Sequence, residues 1–196
     1  MGDPGAFPQD GGFMDGFAAS GDYYLYINGG TIVVDAGGDG LDSNGSIEMT
    51  GGVVLVNGPT NNGNGALDYM SSFNISGGFL VAAGSSGMAQ APGTASTQRS
   101  LLVNFDSAQA AGTLVHIQNA AGEDVLTFSP SKQYQSIVLS SPELAEGVGY
   151  EVYLGGSSTG SPTGSLIQGG SYTPGTLVTS FTLSDVVTRI GSSARR

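Results

Sequence analysis

The chain has 196 residues, a net charge of −11, 39% hydrophobic residues and 34 glycines. The glycines follow no Gly-X-Y period, which excludes collagen, and the absence of cysteine excludes disulfides and thiolate metal sites. No stretch approaches the ~20 apolar residues of a membrane span, so we expect no membrane insertion.

Residues 1–21 open the chain with the sequence MGDPGAFPQDGGFMDGFAASG, which contains little strand signal. The segment has neither the basic region nor the apolar run of a secretory signal peptide. It therefore predicts an irregular N-terminal segment that leaves the next element with an open end.

Three segments that follow align on a Gly-Gly pair: YLYINGGTIVVDA (24–36), SIEMTGGVVLVNG (46–58) and SFNISGGFLVAAG (72–84). Their pairs begin at residues 29, 51 and 77, giving spacings of 22 and 26 residues. Each unit reads as a strand, a Gly-Gly turn, a second strand and a polar loop. A repeat of this length with two short strands per unit predicts a solenoid.

Apolar residues recur at equivalent places in the three units, as expected for side chains stacked on one buried face. The equivalent sets are Leu25, Ile47 and Phe73; Ile27, Met49 and Ile75; Ile32, Val54 and Leu80; and Val34, Val56 and Ala82. The positions that should point outward after each Gly-Gly pair are also apolar: Val33, Leu55 and Val81, with Val53 and Phe79. This outer stripe predicts a cover, either the C-terminal half or another subunit.

Polar loops follow the first two units at corresponding points: DAGGDGLDSNG (35–45) and NGPTNNGNGALDYMSS (57–72). Clustered carboxylate and amide oxygens on a Gly-rich backbone are what Ca²⁺ takes as ligands. The candidate ligands are Asp35, Asp39, Asp42, Asn44, Asn62, Asn64 and Asp68. The alternative is that these residues only form turns.

Residues 1–98 carry nine acids and no Lys or Arg, whereas the remaining residues carry seven acids and all five bases. Such a surface repels nucleic acid and anionic lipid, so we expect no nucleic-acid partner. It suits hard cations. A solvated acidic surface that only keeps the protein soluble is the alternative.

After a loop-like stretch at 85–100, alternating strands are predicted without the Gly-Gly repeat, at 100–105, 113–119, 124–130, 135–141, 149–156 and 176–183. The predicted fold is therefore all-β. A right-handed parallel β-helix occupies 22–97, and a C-terminal antiparallel β-sheet or sandwich at 98–196 packs on it or caps it. An uncovered end of such a solenoid invites end-to-end assembly.

Catalytic motifs are not evident. The single His116 falls within a predicted strand, and no G-x-S-x-G elbow occurs. Sugars could stack on tyrosines, Tyr24 among them, with Tyr26 and Tyr69 as the main candidates. The alternative for each tyrosine is packing at the surface or at an edge. Arg99 is the one basic residue near the repeats that could contact a uronate.

Four stretches together resemble secreted bacterial carbohydrate-binding β-helix proteins that bind pectin-type polygalacturonate with calcium. They are NGGTIVVDAGGDGLDSNGSI, NGPTNNGNGALDY, SGGFLVAAGSSGMAQAP and PSKQYQSIVLSSP, and the resemblance covers about residues 22–190. It implies a parallel β-helix, several Ca²⁺ ions, an extracellular or cell-surface location and no catalysis. Family members usually follow the ALDY segment with Asp-Gly, where this chain has Met70 and Ser71.

Three functional hypotheses follow. The leading one is a non-enzymatic, calcium-dependent binder of acidic polysaccharide, in which Ca²⁺ bridges the acidic loops to uronate carboxylates. The second is a self-assembling subunit of an extracellular fibre or matrix, joined as a homo-oligomer or filament through the open solenoid end. The third is a polysaccharide lyase.

Overall fold

The computed structural model describes residues 23–192, and the predicted irregular segment 1–21 lies outside them. The described part contains seventeen strands and no helix, so the prediction of an all-β protein is confirmed. The strands are β1 (Tyr24–Asp35), β2 (Leu41–Ser43), β3 (Ser46–Asn57), β4 (Leu67–Tyr69), β5 (Ser72–Ile75), β6 (Phe79–Gly84), β7 (Ser100–Gln109), β8 (Val115–Asn119), β9 (Asp124–Phe128), β10 (Tyr134–Ser140), β11 (Gly149–Leu154), β12 (Ser157–Ser158), β13 (Ser161–Thr163), β14 (Leu166–Gln168), β15 (Tyr172–Thr173), β16 (Thr176–Thr182) and β17 (Val187–Ile190).

Most of the strands form two large sheets. The first is seven-stranded and mixed, with the order β1-β3-β6-β10-β7-β17 and with β5 also paired to β3. The second has the order β13-β14-β9-β8-β11-β16, and all its pairs are antiparallel. Two small sheets, β12-β15 and β2-β4, lie outside them.

The three Gly-Gly segments pair in parallel with the predicted alignment. Leu25 lies opposite Ile47, which lies opposite Phe73, and Val54 is flanked by Ile32 and Leu80. The shared spacing of apolar residues sets this register, because a slip by one residue would turn every buried side chain to the other face.

The predicted parallel β-helix is nevertheless wrong, because the sheets are mixed and antiparallel. The Gly-Gly pairs at 29–30 and 51–52 do not separate two strands, since β1 and β3 each run through the pair as one strand of 12 residues. The pairing is only locally irregular there, with register shifts around Asn28. The parallel series also stops after three segments, because β6 pairs on its other side with the antiparallel β10.

The second sheet covers the outer apolar stripe, for which the sequence left two possible covers open. Leu55 and Val81 are buried in one hydrophobic cluster with Ile117 and Leu126 of β8 and β9. The cover is therefore the C-terminal half of the same chain. Val33, at the same position on the outermost strand β1, is not reached and stays 57% exposed.

A second hydrophobic cluster fills the opposite face of the seven-stranded sheet. Met49 and Val54 contribute to it, together with Leu41 of β2 and Leu67 of β4. The two leucines anchor the parallel pair β2-β4 to this cluster, and the next residue on each strand, Asp42 and Asp68, points to the opposite face. This arrangement positions the acidic residues described next.

Candidate functional site

Asp42 and Asp68 form the centre of the acidic site. They are direct partners in the parallel pair β2-β4, flanked by the buried pair Leu41 and Leu67. Neighbouring strands lie about 4.8 Å apart, so the two carboxylates project side by side from one face. Asp42 is exposed and Asp68 is half-buried.

Asp39 is the third carboxylate of this group. Its Oδ1 atom accepts a hydrogen bond of 2.7 Å from the backbone N–H of Gly65, which holds the first polar loop against the second. Two backbone bonds close the same contact, from Gly40 N–H to the Gly65 carbonyl and from Leu41 N–H to the Ala66 carbonyl. The two loops are therefore joined where the sequence aligned them.

The pKa of Asp68 shows the effect that the two neighbouring carboxylates have on this residue. Burial raises this pKa above its usual value, and the negative charges of Asp39 and Asp42 raise it further, against a smaller lowering by the Tyr69 backbone N–H. Because residues 1–98 contain no Lys or Arg, nothing in that half of the sequence offsets these charges. A bound cation would do so.

The donor chemistry fits a hard cation, but the protein does not enclose one. Within residues 23–192, no group of three or more Asp, Glu or His side chains is arranged to hold a metal ion. Asp42 and Asp68 would therefore supply only part of a shell of 6–8 oxygens. The remaining positions fall to amide or main-chain oxygens, water or a ligand.

The three asparagines predicted as ligands differ in the hydrogen bonds that their side chains make. Asn44 is exposed. Asn62 accepts a hydrogen bond of 3.2 Å from Gly87 N–H, and the Asn64 side-chain amide donates to Asn61 Oδ1 at 2.9 Å. The last two therefore order the second loop, and only the oxygens they leave free could contribute to a cation site.

Asp35 is bound to a different part of the chain. It forms an ion pair with Lys132 and accepts a hydrogen bond of 3.0 Å from Ser131 Oγ. The hydrogen bond from Lys132 is the main reason why the pKa of Asp35 lies below its usual value. Lys132 also donates to the Ala36 carbonyl at 2.6 Å, so this contact fastens the end of β1 to the segment after β9.

Of the three predicted sugar contacts, one is free in the described structure. Tyr26 is 61% exposed and its ring stacks on that of Tyr24. The Tyr69 hydroxyl donates to the Ala91 carbonyl at 2.6 Å, and burial raises its pKa. Arg99 is ion-paired with Glu146.

His116 is enclosed on the second sheet. Its side chain is fully buried, with Nδ1 at 2.9 Å from Thr127 Oγ1 and Nε2 at 3.3 Å from Gln118 Oε1. The Tyr172 ring stacks on the imidazole, with 3.7 Å between the centroids. An imidazole enclosed in this way is not accessible to a substrate.

Two contacts between surface side chains were not predicted from the sequence. Tyr24 pairs with Tyr26 because residues two apart on a strand share a face, a spacing that is visible in the sequence. Glu48 accepts a hydrogen bond of 2.8 Å from the Asn74 amide on the neighbouring strand, at aligned positions of the repeat.

The described residues contain no helix that is long and apolar enough to cross a membrane. Comparison of the chain with protein-family models, with curated proteins and with solved structures finds no match in any of the three.

Proposed function

We propose that this protein is a non-catalytic binding module for acidic polysaccharide, acting outside the cell or at its surface, and that calcium bridges the two. The observation that carries the proposal is the acidic group of Asp39, Asp42 and Asp68. Asp42 and Asp68 lie opposite each other in the strand pairing, and burial together with the charges of Asp39 and Asp42 raises the pKa of Asp68. Calcium would supply the positive charge that this group lacks.

Because the protein supplies an incomplete set of ligands, a calcium ion that bridges protein and polysaccharide fits this site better than a calcium ion fully enclosed by the protein. Asp42 and Asp68 offer carboxylate oxygens on an exposed edge, and Asn44 lies one residue beyond β2. A cation held there keeps open positions, which the carboxylates of uronate residues can fill. Without the cation, the negative surface would repel a polyanion.

Calorimetry with polygalacturonate, in calcium and then in EDTA, tests this function. We expect binding in calcium that EDTA abolishes, and the double variant Asp42→Asn/Asp68→Asn should not bind in either buffer. Asp106→Asn is the matched control, because it removes an exposed carboxylate from β7, outside the acidic group. Binding that persists in EDTA would refute the bridge, and no binding in calcium would refute the function.

The lyase hypothesis requires a free basic residue beside the acidic group. Arg99, the basic residue that the sequence offered for that role, is ion-paired with Glu146. The ion pair of Arg99 supports the choice of binding, rather than cleavage, as the proposal.

Self-assembly remains the second candidate, and one observation favours it. Strand β1 is the end of the seven-stranded sheet, so among the described residues its 12-residue outer edge has no strand partner. Val33 on this strand is exposed. Long edge strands with apolar side chains are templates for pairing with another chain.

Sedimentation velocity over a range of concentrations tests the assembly. We expect Val33→Lys to reduce association, and Met70→Lys to leave it unchanged because Met70 is an exposed apolar residue outside both large sheets. A wild-type protein that stays monomeric at high concentration would rule out this candidate.

A further inference from the structure

The outer face of the three Gly-Gly segments presents two tyrosines beside a row of hydrogen-bonded polar groups. Before the glycine pairs, β1, β3 and β5 lie side by side in parallel, with their alternate residues buried. We call the outward residues the tyrosine face: Tyr24, Tyr26, Asn28, Glu48, Thr50 and Asn74.

The two tyrosine rings are arranged to contact a ligand. Their planes differ by 10° and their centroids are 5.4 Å apart, which is an offset stack. Tyr24 is 53% exposed and Tyr26 is 61% exposed, so the rings support each other and still present open surface. A stack of this kind loses little side-chain freedom on binding, because the rings already restrict each other.

The polar groups beside the rings are held by their neighbours. The Asn74 amide donates to Glu48 Oε1 at 2.8 Å, which leaves the second carboxylate oxygen of Glu48 as an acceptor. Thr50 Oγ1 donates to Asn28 Oδ1 at 2.9 Å, which leaves the Asn28 NH₂ group as a donor. Tyr26 lies directly opposite Glu48 in the strand pairing, so ring and acceptor are adjacent.

An aromatic surface beside a fixed acceptor and a fixed donor suits a pyranose ring. The C–H groups of the sugar contact the aromatic ring, while its hydroxyls pair with the carboxylate and the amide. Glu48 is negative and residues 1–98 contain no base, so this face disfavours a uronate and accepts an uncharged sugar.

We propose that the tyrosine face binds neutral sugar residues of a glycan, without calcium. The site is separate from the acidic group on β2 and β4 and does not depend on the function proposed for that group. The turn at 44–45 joins β2 to β3, so the acidic edge and the tyrosine face are consecutive surfaces of the chain.

Calorimetry in EDTA with cellohexaose, xylohexaose and galactohexaose tests the proposal. We expect at least one of these neutral oligosaccharides to bind, and Tyr26→Ala to weaken that binding about tenfold. Glu48→Gln should also weaken it, since the change removes the charge-assisted hydrogen bond to a hydroxyl.

Two variants are controls. Tyr23→Ala removes a tyrosine that is 57% exposed but outside the stack, and should leave the affinity unchanged. Asp42→Asn/Asp68→Asn should also bind the neutral oligosaccharide like the wild type, so failure at the acidic site does not affect this test. Circular dichroism of each variant shows that the fold is retained.

Several results would overturn the proposal. One is the absence of binding to all three oligosaccharides, and another is an equal effect of Tyr26→Ala and Tyr23→Ala. Light scattering that shows a dimer dissociated by Tyr26→Ala would make a second copy the occupant of this face. Resistance of Tyr24 and Tyr26 to nitration in the free protein would make residues 1–22 the occupant.

Discussion

Asp42 and Asp68 lie opposite each other on the parallel strands β2 and β4, and their carboxylates project from the same face, where Asp42 is exposed and Asp68 is half-buried. A pair of like charges in direct register opposes folding. In this protein the pair sits in a half of the sequence that has no basic side chain. The relationship has consequences for stability that can be measured without any ligand.

Removing one charge of the pair should stabilise the protein. We expect Asp68→Asn to raise the free energy of unfolding at pH 7 by about 0.5 kcal/mol, the size of a like-charge cross-strand interaction. The folded-state pKa of Asp68 is raised, so its ionisation costs stability above the unfolded value and costs nothing below it. Urea unfolding should therefore show a gain that disappears when the pH falls below about 3.9.

Asp106→Asn is the control for this experiment, because Asp106 is an exposed carboxylate on β7, outside the pair. It should change stability at pH 7 by much less than Asp68→Asn. A loss of stability in Asp68→Asn at pH 7 would show that Asp68 makes a favourable interaction in the folded protein.

Calcium should reverse the sign of the effect that the charges of Asp42 and Asp68 have on the free energy of unfolding. If calcium binds at the acidic group, a concentration of 100 times Kd stabilises the folded state by about 2.7 kcal/mol. Thermal unfolding in calcium and in EDTA should then differ for the wild type and coincide for Asp42→Asn/Asp68→Asn. Equal calcium effects in both proteins would place the ion elsewhere.

The acidic group could be predicted from the sequence because it depends on local repetition. Leu41-Asp42 and Leu67-Asp68 align within the repeat, and buried leucines on neighbouring strands bring the aspartates together. The engagement of Asp35 with Lys132 could not be predicted in this way. It joins loops that are far apart in sequence, and no local pattern encodes their approach.

The fold was predicted less well for a related reason. Parallel pairing of the three segments follows from their shared spacing, but the antiparallel insertion of β10 between β6 and β7 is a long-range choice. Each of the six C-terminal strands predicted from alternation overlaps an observed strand, whereas the short strands β12, β13, β14, β15 and β17 were missed. Strands of two to four residues are too short for an alternating pattern, and β17 pairs in parallel with β7, which is not adjacent in sequence.

Because the two large sheets pack against each other, alanine substitution at two residues of the same repeat position should change stability by very different amounts. Leu55 is 1% exposed between the sheets, so Leu55→Ala should destabilise the protein by about 3 kcal/mol through lost burial and a cavity. Val33→Ala should change stability by less than about 0.5 kcal/mol, because Val33 is 57% exposed. Denaturant unfolding of both variants checks this, and similar losses would contradict the packing.

The enclosed His116 predicts a loss of stability in mild acid. Burial lowers its pKa, an effect larger than the opposing influences of Asp124 and of the Gln118 hydrogen bond. Thr127, Tyr153 and Tyr172 also surround the ring. The unfolded chain therefore takes up the proton first, and stability should fall as the pH drops below about 6.5.

One titrating group limits the slope of this decline to about 1.4 kcal/mol per pH unit. Urea unfolding at pH values between 7 and 5 measures the slope, above the range in which most carboxylates titrate. His116→Phe keeps an aromatic ring against Tyr172 and removes the titration, so its stability should vary less with pH than that of the wild type. An unchanged slope in this variant would assign the effect to another group.

Two glycines at the same repeat position allow two costs of an added side chain to be measured separately: the cost of the backbone conformation and the cost of crowding. Gly30 and Gly52 both have positive φ angles, 78° and 95°, which side chains disfavour. Among residues 23–192, a Cβ atom at residue 30 would meet nothing within 4 Å, whereas one at residue 52 would lie 2.8 Å from the backbone carbon of Gly29. The difference arises because β1 is at the edge of the sheet and β3 is inside it.

Gly30→Ala should therefore cost about 1 kcal/mol of unfolding free energy, which is the conformational penalty alone. Gly52→Ala should cost about 3 kcal/mol, because β1 must also move away from β3. Urea denaturation of the two variants gives both values on one scale. Equal losses would mean that β1 yields to the new methyl group without cost, and hence that the edge strand is held to the sheet only weakly.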